Sequence, residues 1–264
     1  MKQLIPVIAF IILLMASACQ NKSKSNSQQK TMENEKVETL TLNKENIFFK
    51  GLGTEPFWNI QMDSNIIYFT SMIEGLEELS APLSKPIHVA DANIKQYRAS
   101  TKSGEIQLEI AHGSCSDNMS DTEYTYIIKV KIRKGTDKEF STLSGCGNYI
   151  TDFRLTAIWV LDSLYGRLVS ITDFDKEFPR MEINSKTNTF SGHAGCNAMN
   201  GKLFFENNLL RFTDIATTRK MCRPTNKEVE FLKALRSSIN YKIENNRLTL
   251  SNPNGTTAVF KKTD

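Results

Sequence analysis

The five cysteines are the residues of this chain with the clearest chemistry, and Cys19 stands apart from the other four. It follows an apolar stretch at residues 4–15, which comes after the positive charge of Lys2 and contains no acidic residue. An apolar run of about a dozen residues is typical of a secretory signal peptide and is shorter than the roughly 20 residues that span a bilayer. The segment therefore predicts export and not a membrane-spanning helix.

The residues just before Cys19 indicate that this cysteine carries a lipid. Ala16-Ser17-Ala18-Cys19 resembles the lipobox that lipoprotein signal peptidase cleaves after the cysteine has received diacylglycerol. We expect residues 1–18 to be removed and Cys19 to anchor the mature chain, because each buried methylene contributes about 0.8 kcal/mol. Residues 19–45 are polar and predict a flexible tether. The expected location is the cell envelope, at the outer membrane facing the periplasm, since Gln20 gives no strong reason for inner-membrane retention.

Export places the other four cysteines in an oxidising compartment, where disulfide bonds are the default. Four cysteines allow three pairings. The chain divides near Asp152 into halves that carry two cysteines each, so the economical pairing joins Cys115 to Cys146 and Cys196 to Cys222. In the loop-entropy model, closing a loop of roughly 30 residues contributes about 3 to 4 kcal/mol.

Composition and motifs exclude several classes of function. A net charge of +4 over 264 residues is too small to suggest nucleic acid as a partner. The sequence has no G-x-S-x-G elbow, no phosphate loop and no H-E-x-x-H motif. We therefore expect no enzymatic activity, no cofactor and no metal, and we expect the partners to be the membrane, through the lipid anchor, and an unidentified envelope protein or small ligand.

The first half, residues 46–152, is rich in strand signals. Segments at 57–62, 66–70, 94–101, 105–111 and 124–133 are short, apolar and bounded by turn residues. In the last of these, Ile128, Val130 and Ile132 share one face opposite Lys129 and Lys131. This alternation predicts a half-buried antiparallel strand.

Three sequence motifs in this half resemble those of a known family. They are Gly53-Thr54-Glu55-Pro56-Phe57-Trp58, Cys115-Ser116-Asp117-Asn118-Met119-Ser120-Asp121 and Gly145-Cys146-Gly147. Over about 100 residues the segment resembles a family of uncharacterised bacterial envelope lipoproteins, for which no activity is settled. The resemblance predicts a β-rich envelope domain and assigns no site.

A soft-metal site is an alternative for the segment from His112 to Met119. A thiolate of Cys115 and the thioether of Met119 would suit Cu(I). A disulfide at Cys115 would remove the thiolate, so the alternative is weak. The carboxylates of Asp117, Asp121 and Glu123 similarly suggest Ca²⁺, but a Ca²⁺ loop needs more oxygen ligands and a specific glycine. A polar turn held by a disulfide is favoured.

The second half, residues 153–264, combines short strands with one helix. Strand signals lie at 180–184, 187–192, 201–206, 209–214, 240–244, 247–251 and 256–261, with Asn254-Gly255 as a hairpin turn. Thr225 and Glu228 have the spacing of a capping box at the start of a helix. The apolar stripe of that helix is predicted to be Val229, Leu232, Leu235 and Ile239, with Lys227, Lys233 and Arg236 facing water.

Three sequence motifs in the second half resemble those of a known domain. Ser191-Gly192-His193-Ala194-Gly195-Cys196-Asn197 is followed by Thr217-Thr218-Arg219-Lys220-Met221-Cys222 and by Glu228-Val229-Glu230-Phe231-Leu232. Over residues 155–262 the chain resembles the META domain of the HslJ family. The resemblance implies an antiparallel β-rich α+β domain and is consistent with a Cys196–Cys222 bond. That family is associated with the heat-shock response and, in one bacterial member, with novobiocin resistance.

The Gly195-Cys196-Asn197 turn raises one catalytic alternative, in which His193 would activate Cys196 as a nucleophile. A paired cysteine cannot attack, and the glycine and Asn197 are explained by the needs of a tight turn. The overall prediction is an α+β, mostly β chain of two small antiparallel β-rich domains, the second with one helix packed on its sheet. Its predicted function is that of a non-enzymatic, lipid-anchored envelope protein in stress response or envelope integrity. The alternative is a lipoprotein that binds a small ligand or soft metal through Phe57 and Trp58 or through the segment from His112 to Met119.

Overall fold

A computed structural model describes residues 41–135, 137–175 and 177–263. The predicted signal peptide, Cys19 and most of the predicted tether lie outside these residues. The described part of the chain forms eighteen β-strands, three short 3-10 helices and one α-helix, with the strands arranged in two antiparallel sheets. Within it, no helix is both long and apolar enough to cross a membrane. The predicted fold class, α+β and mostly β, is confirmed.

The first sheet contains nine strands in the order β4-β3-β2-β1-β9-β8-β7-β6-β5. They are β1 Phe49–Thr54, β2 Phe57–Met62, β3 Ile66–Ser71, β4 Glu78–Pro82, β5 Ile87–His88, β6 Ile94–Ser100, β7 Gly104–Ser116, β8 Glu123–Lys134 and β9 Ser141–Tyr149. Strand β1 pairs with both β2 and β9, so it joins the meander β1–β4 to the meander β5–β9. Strand β4 also lies close to β6 and β7. All five predicted segments fall on strands.

The core of the first sheet follows the alternation in the sequence. Ile128, Val130 and Ile132 of β8 are buried, whereas Lys129 and Lys131 between them are exposed. The inner face also carries large aromatic side chains, which are Phe49, Trp58 and Phe69. Side chains of alternate residues point to opposite faces of a strand, so one face of β8 packs in the core while the other meets water.

The second sheet also has nine strands, in the order β11-β10-β12-β13-β14-β15-β16-β17-β18. They are β10 Ala157–Leu164, β11 Arg167–Leu168, β12 Arg180–Asn184, β13 Thr189–His193, β14 Ala198–Glu206, β15 Leu209–Thr217, β16 Asn240–Glu244, β17 Arg247–Asn252 and β18 Gly255–Thr263. An additional pairing of β10 with β18 closes eight of these strands into a barrel. The β17–β18 turn consists of Pro253 and Asn254, one position before the predicted pair, because Asn252 pairs with Gly255.

The helix α1, Glu228–Ser237, connects β15 to β16 and packs against β15 and β18. Three details of its prediction were wrong. The helix ends at Ser237, so Ile239, which was predicted to be in its apolar stripe, lies beyond it. Glu228 is buried and its carboxylate binds the 196–197 turn, so it does not form a capping box with Thr225, and its own N–H donates to Asn226. Val229 is 79% exposed, because the burial of Glu228 turns Phe231, Leu232, Ala234 and Leu235 toward the core. The predicted exposure of Lys227, Lys233 and Arg236 is confirmed.

Candidate functional site

The structure places both predicted cysteine pairs at disulfide-bonding distance. The Cα atoms of Cys115 and Cys146 are 5.6 Å apart, and those of Cys196 and Cys222 are 6.0 Å apart. The first pair is separated by 31 positions in the chain and the second by 26. Each sheet therefore has its own covalent link.

Two of the three motifs of the first half meet at Trp58, and the third contacts them through Cys115, whose sulfur lies 3.5 Å from the carbonyl of Gly145. Gly53 lies opposite Trp58 in the β1–β2 ladder, and Gly145 packs so closely on Leu52 and Trp58 that a Cβ atom there would overlap both. Trp58 is 1% exposed, whereas Phe57 is 48% exposed. Trp58 is therefore a core residue, and only Phe57 of the aromatic pair could meet a ligand.

The segment from His112 to Met119 does not act as a unit. The carboxylate of Asp117 accepts hydrogen bonds from the N–H groups of Met119 (3.0 Å) and Ser120 (2.9 Å), and these bonds lower the pKa of Asp117. Met119 is 66% exposed at this turn. His112 instead packs edge to face against Tyr126 and Phe204. The geometry is that of a polar turn whose carboxylate already has local donors.

The Gly195-Cys196-Asn197 turn of the second half is held by hydrogen bonds to Glu228. Its carboxylate accepts hydrogen bonds from the backbone N–H groups of Cys196 (3.1 Å) and Asn197 (2.6 Å) and from the side-chain amide of Asn197 (2.9 Å). Asn197 in turn accepts from the N–H of Lys220 (2.7 Å) and the hydroxyl of Thr218 (2.8 Å). The three motifs of the META resemblance, at residues 191–197, 217–222 and 228–232, are thus joined by hydrogen bonds.

The catalytic alternative for this turn finds no support in the geometry. The ring Nδ1 of His193 accepts from the N–H of Gly195 at 3.1 Å, and the sulfur of Cys196 is paired with Cys222. A carboxylate oxygen of Asp175 lies within 4.8 Å of the sulfurs of Cys196 and Cys222. Among the described residues, these three have the spacing of a possible metal site. Because Asp175 is bonded to Arg223 and the sulfurs are bonded to each other, the group offers no thiolate.

A groove of about 890 Å³ lies between the two sheets, and we call it the interdomain groove. Strands β7 to β9 line one side and the β12–β13 turn with β14 lines the other. The lining residues that matter here are His112, Tyr126, Tyr149, Asn188, Phe204 and Phe205. This volume falls in the range of small-molecule sites, roughly 300 to 1,000 Å³.

Glu206, which is 5% exposed, joins the two sheets beneath the groove. Its carboxylate accepts hydrogen bonds from Tyr126 (2.6 Å) and Asn93 (2.7 Å) and forms an ion pair with Lys95, all three from the first sheet or its loops. Burial alone would raise the pKa of Glu206, but these donors outweigh burial and hold the pKa below its ordinary value. Glu206 therefore stays ionised and fixes the relative position of the sheets.

Tyr149 lines the groove, but its hydroxyl is buried and makes no hydrogen bond of ordinary geometry among the described residues. Its ring packs edge to face on Phe49 and Tyr126, with both centroid distances at 4.9 Å. Burial, then the neighbouring Tyr97 and Glu206, raise the pKa of Tyr149 well above its ordinary value. The hydroxyl is therefore protonated, and it lies in the protein interior beside Tyr97 and not at the surface of the groove.

Sequence reasoning identified His112 and missed the other members of the groove. Glu206 ends an apolar strand next to Asn207 and Asn208, where a glutamate is ordinarily solvated. Tyr126 and Tyr149 lie in different strands with no shared motif. They meet because β8 pairs with β9 in the first sheet, and the register of that pairing is not marked by any local motif.

Comparison with known proteins returns a family match and three solved structures. The META domain matches residues 151–264. An NMR structure is 26% identical, with 41% of this chain and 90% of that chain covered at a TM-score of 0.33. An NMR structure from Burkholderia xenovorans is 22% identical (41% and 82% covered, TM-score 0.35), and a DUF4847 family protein from Bacteroides vulgatus is 18% identical (42% and 96%, TM-score 0.29). No curated protein matches the chain.

Proposed function

Residues 151–264 are a META domain, and from this premise we propose that the chain is a non-enzymatic, lipid-anchored envelope protein that acts in stress tolerance by binding a ligand. The META family points to a stress-related or envelope-associated function and is not a known enzymatic family. The lipobox-like segment ending in Cys19 supports the anchor. The interdomain groove supports the binding role.

The observation that carries the binding role is that one rigid groove is built from both sheets. Glu206 of the second sheet holds Tyr126, Asn93 and Lys95 of the first, so neither sheet forms the groove alone. A pre-formed concave site with apolar walls and a few directed polar groups is typical of ligand binding. The groove has this composition, with Phe204 and Phe205 on its wall and Asn188 at its edge.

The titratable groups of the groove favour binding over catalysis. Burial and the charge of Glu206 raise the pKa values of Tyr126 and Tyr149, so both hydroxyls are donors and not bases. The carboxylate of Glu206 is occupied by three donors. A general base needs a free acceptor within reach of substrate, and Glu206 does not offer one.

The anchor and the stress role can be tested together in a strain that lacks the gene. The full chain and a Cys19→Ser variant would be expressed with an alkyne fatty acid, and growth would be followed during heat shock and novobiocin exposure. We expect the full chain to take up the label and restore growth, and the Cys19→Ser variant to do neither. Restoration of growth by an unlabelled variant would show that the anchor is not needed.

The groove also favours a ligand class, namely neutral molecules with hydroxyl or amide groups and apolar faces. Ring faces pack on aromatic side chains such as Phe204, and hydroxyls pair with polar side chains such as Asn188. The N-acetylglucosamine trisaccharide is a suitable probe, with saturation-transfer NMR as the measurement. Phe204→Ala should abolish the signal, and Phe57→Ala, which changes an aromatic residue outside the groove, should not. A signal unchanged by Phe204→Ala would reject this ligand class.

A further inference from the structure

We propose that the disulfide-linked loop Thr218–Cys222 of the second sheet is a membrane-contacting surface that binds the anionic headgroups of phospholipids. We call this segment the basic loop. It contains Arg219, Lys220 and Met221, and Met221 is 99% exposed. The inference rests on the proposed lipid anchor, which would hold the loop beside a bilayer.

The basic loop is rigid at its base although its tip is exposed. Thr218 and Lys220 both donate hydrogen bonds to the side-chain oxygen of Asn197, and Cys222 is paired with Cys196. The buried Glu228 holds Asn197 from below. An apolar side chain presented on a fixed loop loses little conformational entropy on binding, which favours a role in contact.

The charges around the loop leave two cations available. Asp173 is paired with Lys227, and Asp175 is paired with Arg223, so the nearby carboxylates are already neutralised. Within the described part of the chain, no carboxylate lies within salt-bridge distance of Arg219 or Lys220. Together with an exposed methionine between the cations and the disulfide, this pattern complements a surface of phosphate groups over acyl chains.

Two other exposed apolar side chains neighbour residues that are linked to the base of the basic loop or to the ion pairs beside it. Val229 is 79% exposed and follows Glu228, the residue that holds the turn, and Ile171 is 46% exposed next to the Asp173–Lys227 pair. Because apolar groups between cations enter the headgroup region while the cations remain at its surface, these residues extend the proposed contact. They widen it beyond one side chain.

The position of the loop in the fold is compatible with the tether. Strand β14 runs from Ala198, whose carbonyl accepts the N–H of Thr218, to Glu206 at the first sheet. Nine residues of strand place the loop about 30 Å from the interdomain contact. Residues 45–48 lie beside Asn207 at that contact, and the predicted tether of about 25 residues has a coil reach of roughly 25 to 30 Å. A bilayer attached at Cys19 can therefore meet the basic loop.

Two cations and one methionine bind weakly on their own, and the tether compensates. Linking raises the effective concentration of the loop at the bilayer to the order of millimolar. The test therefore imposes the anchor chemically, by coupling Cys19 of the oxidised mature chain to a maleimide lipid. A negative result would then count against membrane contact by the loop and not against the lipid anchor, because the result does not depend on whether cells lipidate Cys19.

The readout is contact of the loop with the bilayer. Met221→Trp places a fluorophore at the tip, and vesicles carry brominated phospholipids that quench tryptophan on contact. The native tryptophans, Trp58 and Trp159, are buried and give a constant background. Phe57→Trp in the first sheet is the control for proximity that comes from tethering alone.

We expect at least twofold more quenching at position 221 than at position 57 in vesicles with about 30% phosphatidylglycerol. The difference should disappear in pure phosphatidylcholine, at about 1 M salt, where the screening length is about 3 Å, and in Arg219→Glu with Lys220→Glu. Lys50→Glu with Lys131→Glu, the same charge change on exposed positions of the first sheet, should leave it intact. Equal quenching at both positions, equal quenching in neutral vesicles, or no effect of the Arg219 and Lys220 changes would each overturn the proposal.

Discussion

The hydroxyl of Tyr126 in the first sheet donates a 2.6 Å hydrogen bond to the carboxylate of Glu206 in the second. Both residues are buried, and the same carboxylate carries the ion pair with Lys95. A buried charge is tolerated when it is paired and its oxygens have donors. Glu206 therefore links the two sheets through a hydrogen bond and an ion pair.

Glu206→Ala should lower the free energy of unfolding by about 3 to 5 kcal/mol, because Tyr126 and Asn93 lose their acceptor and the partly buried Lys95 loses its ion-pair partner. Glu244→Ala removes an exposed ion pair with Lys242 and should cost less than about 1 kcal/mol. Urea titration followed by tryptophan fluorescence measures both. Similar losses for the two variants would show that the contact under the groove contributes little.

The pH dependence of stability should reveal the same carboxylate. The pKa of Glu206 is lowered in the folded protein from 4.5. Its contribution is therefore complete above the unfolded pKa and is lost as pH falls through the folded pKa. We expect Glu206→Gln to be less stable than the native chain at pH 7, with the difference shrinking below about pH 5. Thermal unfolding at pH 7, 5, 4 and 3 measures this, and a constant difference would contradict it.

The two cysteine pairs make a prediction about covalent structure. Peptide mapping of the non-reduced protein should yield Cys115 linked to Cys146 and Cys196 linked to Cys222. The loops span 31 and 26 residues, so replacing either pair by serine should cost about 3 to 4 kcal/mol in the loop-entropy model. Any crossed linkage, or free thiols at all four positions, would refute the assignment.

Glu228→Ala should destabilise the second sheet by about 2 to 5 kcal/mol, because two backbone N–H groups at Cys196 and Asn197 lose their acceptor in a buried site. Glu230→Ala, an exposed change in the same helical turn, should cost under about 1 kcal/mol. Glu228→Gln keeps one acceptor oxygen and should be intermediate. Circular dichroism during thermal unfolding measures the series, and equal effects at positions 228 and 230 would reject the role of Glu228.

Much of the fold could be predicted because its signals are local. The alternation in β8 predicts which side chains are buried, and the five segments of the first half fall on strands. The helix position was right, but its buried face was not. Spacing alone assigned Val229 to the core, whereas the interaction of Glu228 with the 196–197 turn rotates that face away. A contact between residues 31 positions apart is invisible to a periodicity argument.

The sequence by itself determined the strand pattern, the META domain, the economical cysteine pairing and the expectation of a lipid on Cys19. Each of these depends on residue types at short or fixed spacing. Only the tertiary structure decided that Glu206, Tyr126 and Lys95 form one cluster and that the ring of Tyr149 packs against Tyr126 and Lys95. These residues come from separate strands of two sheets. Their chemistry arises only when packing removes water from between them, since burial determines both the pKa shifts and the cost of an unpaired charge.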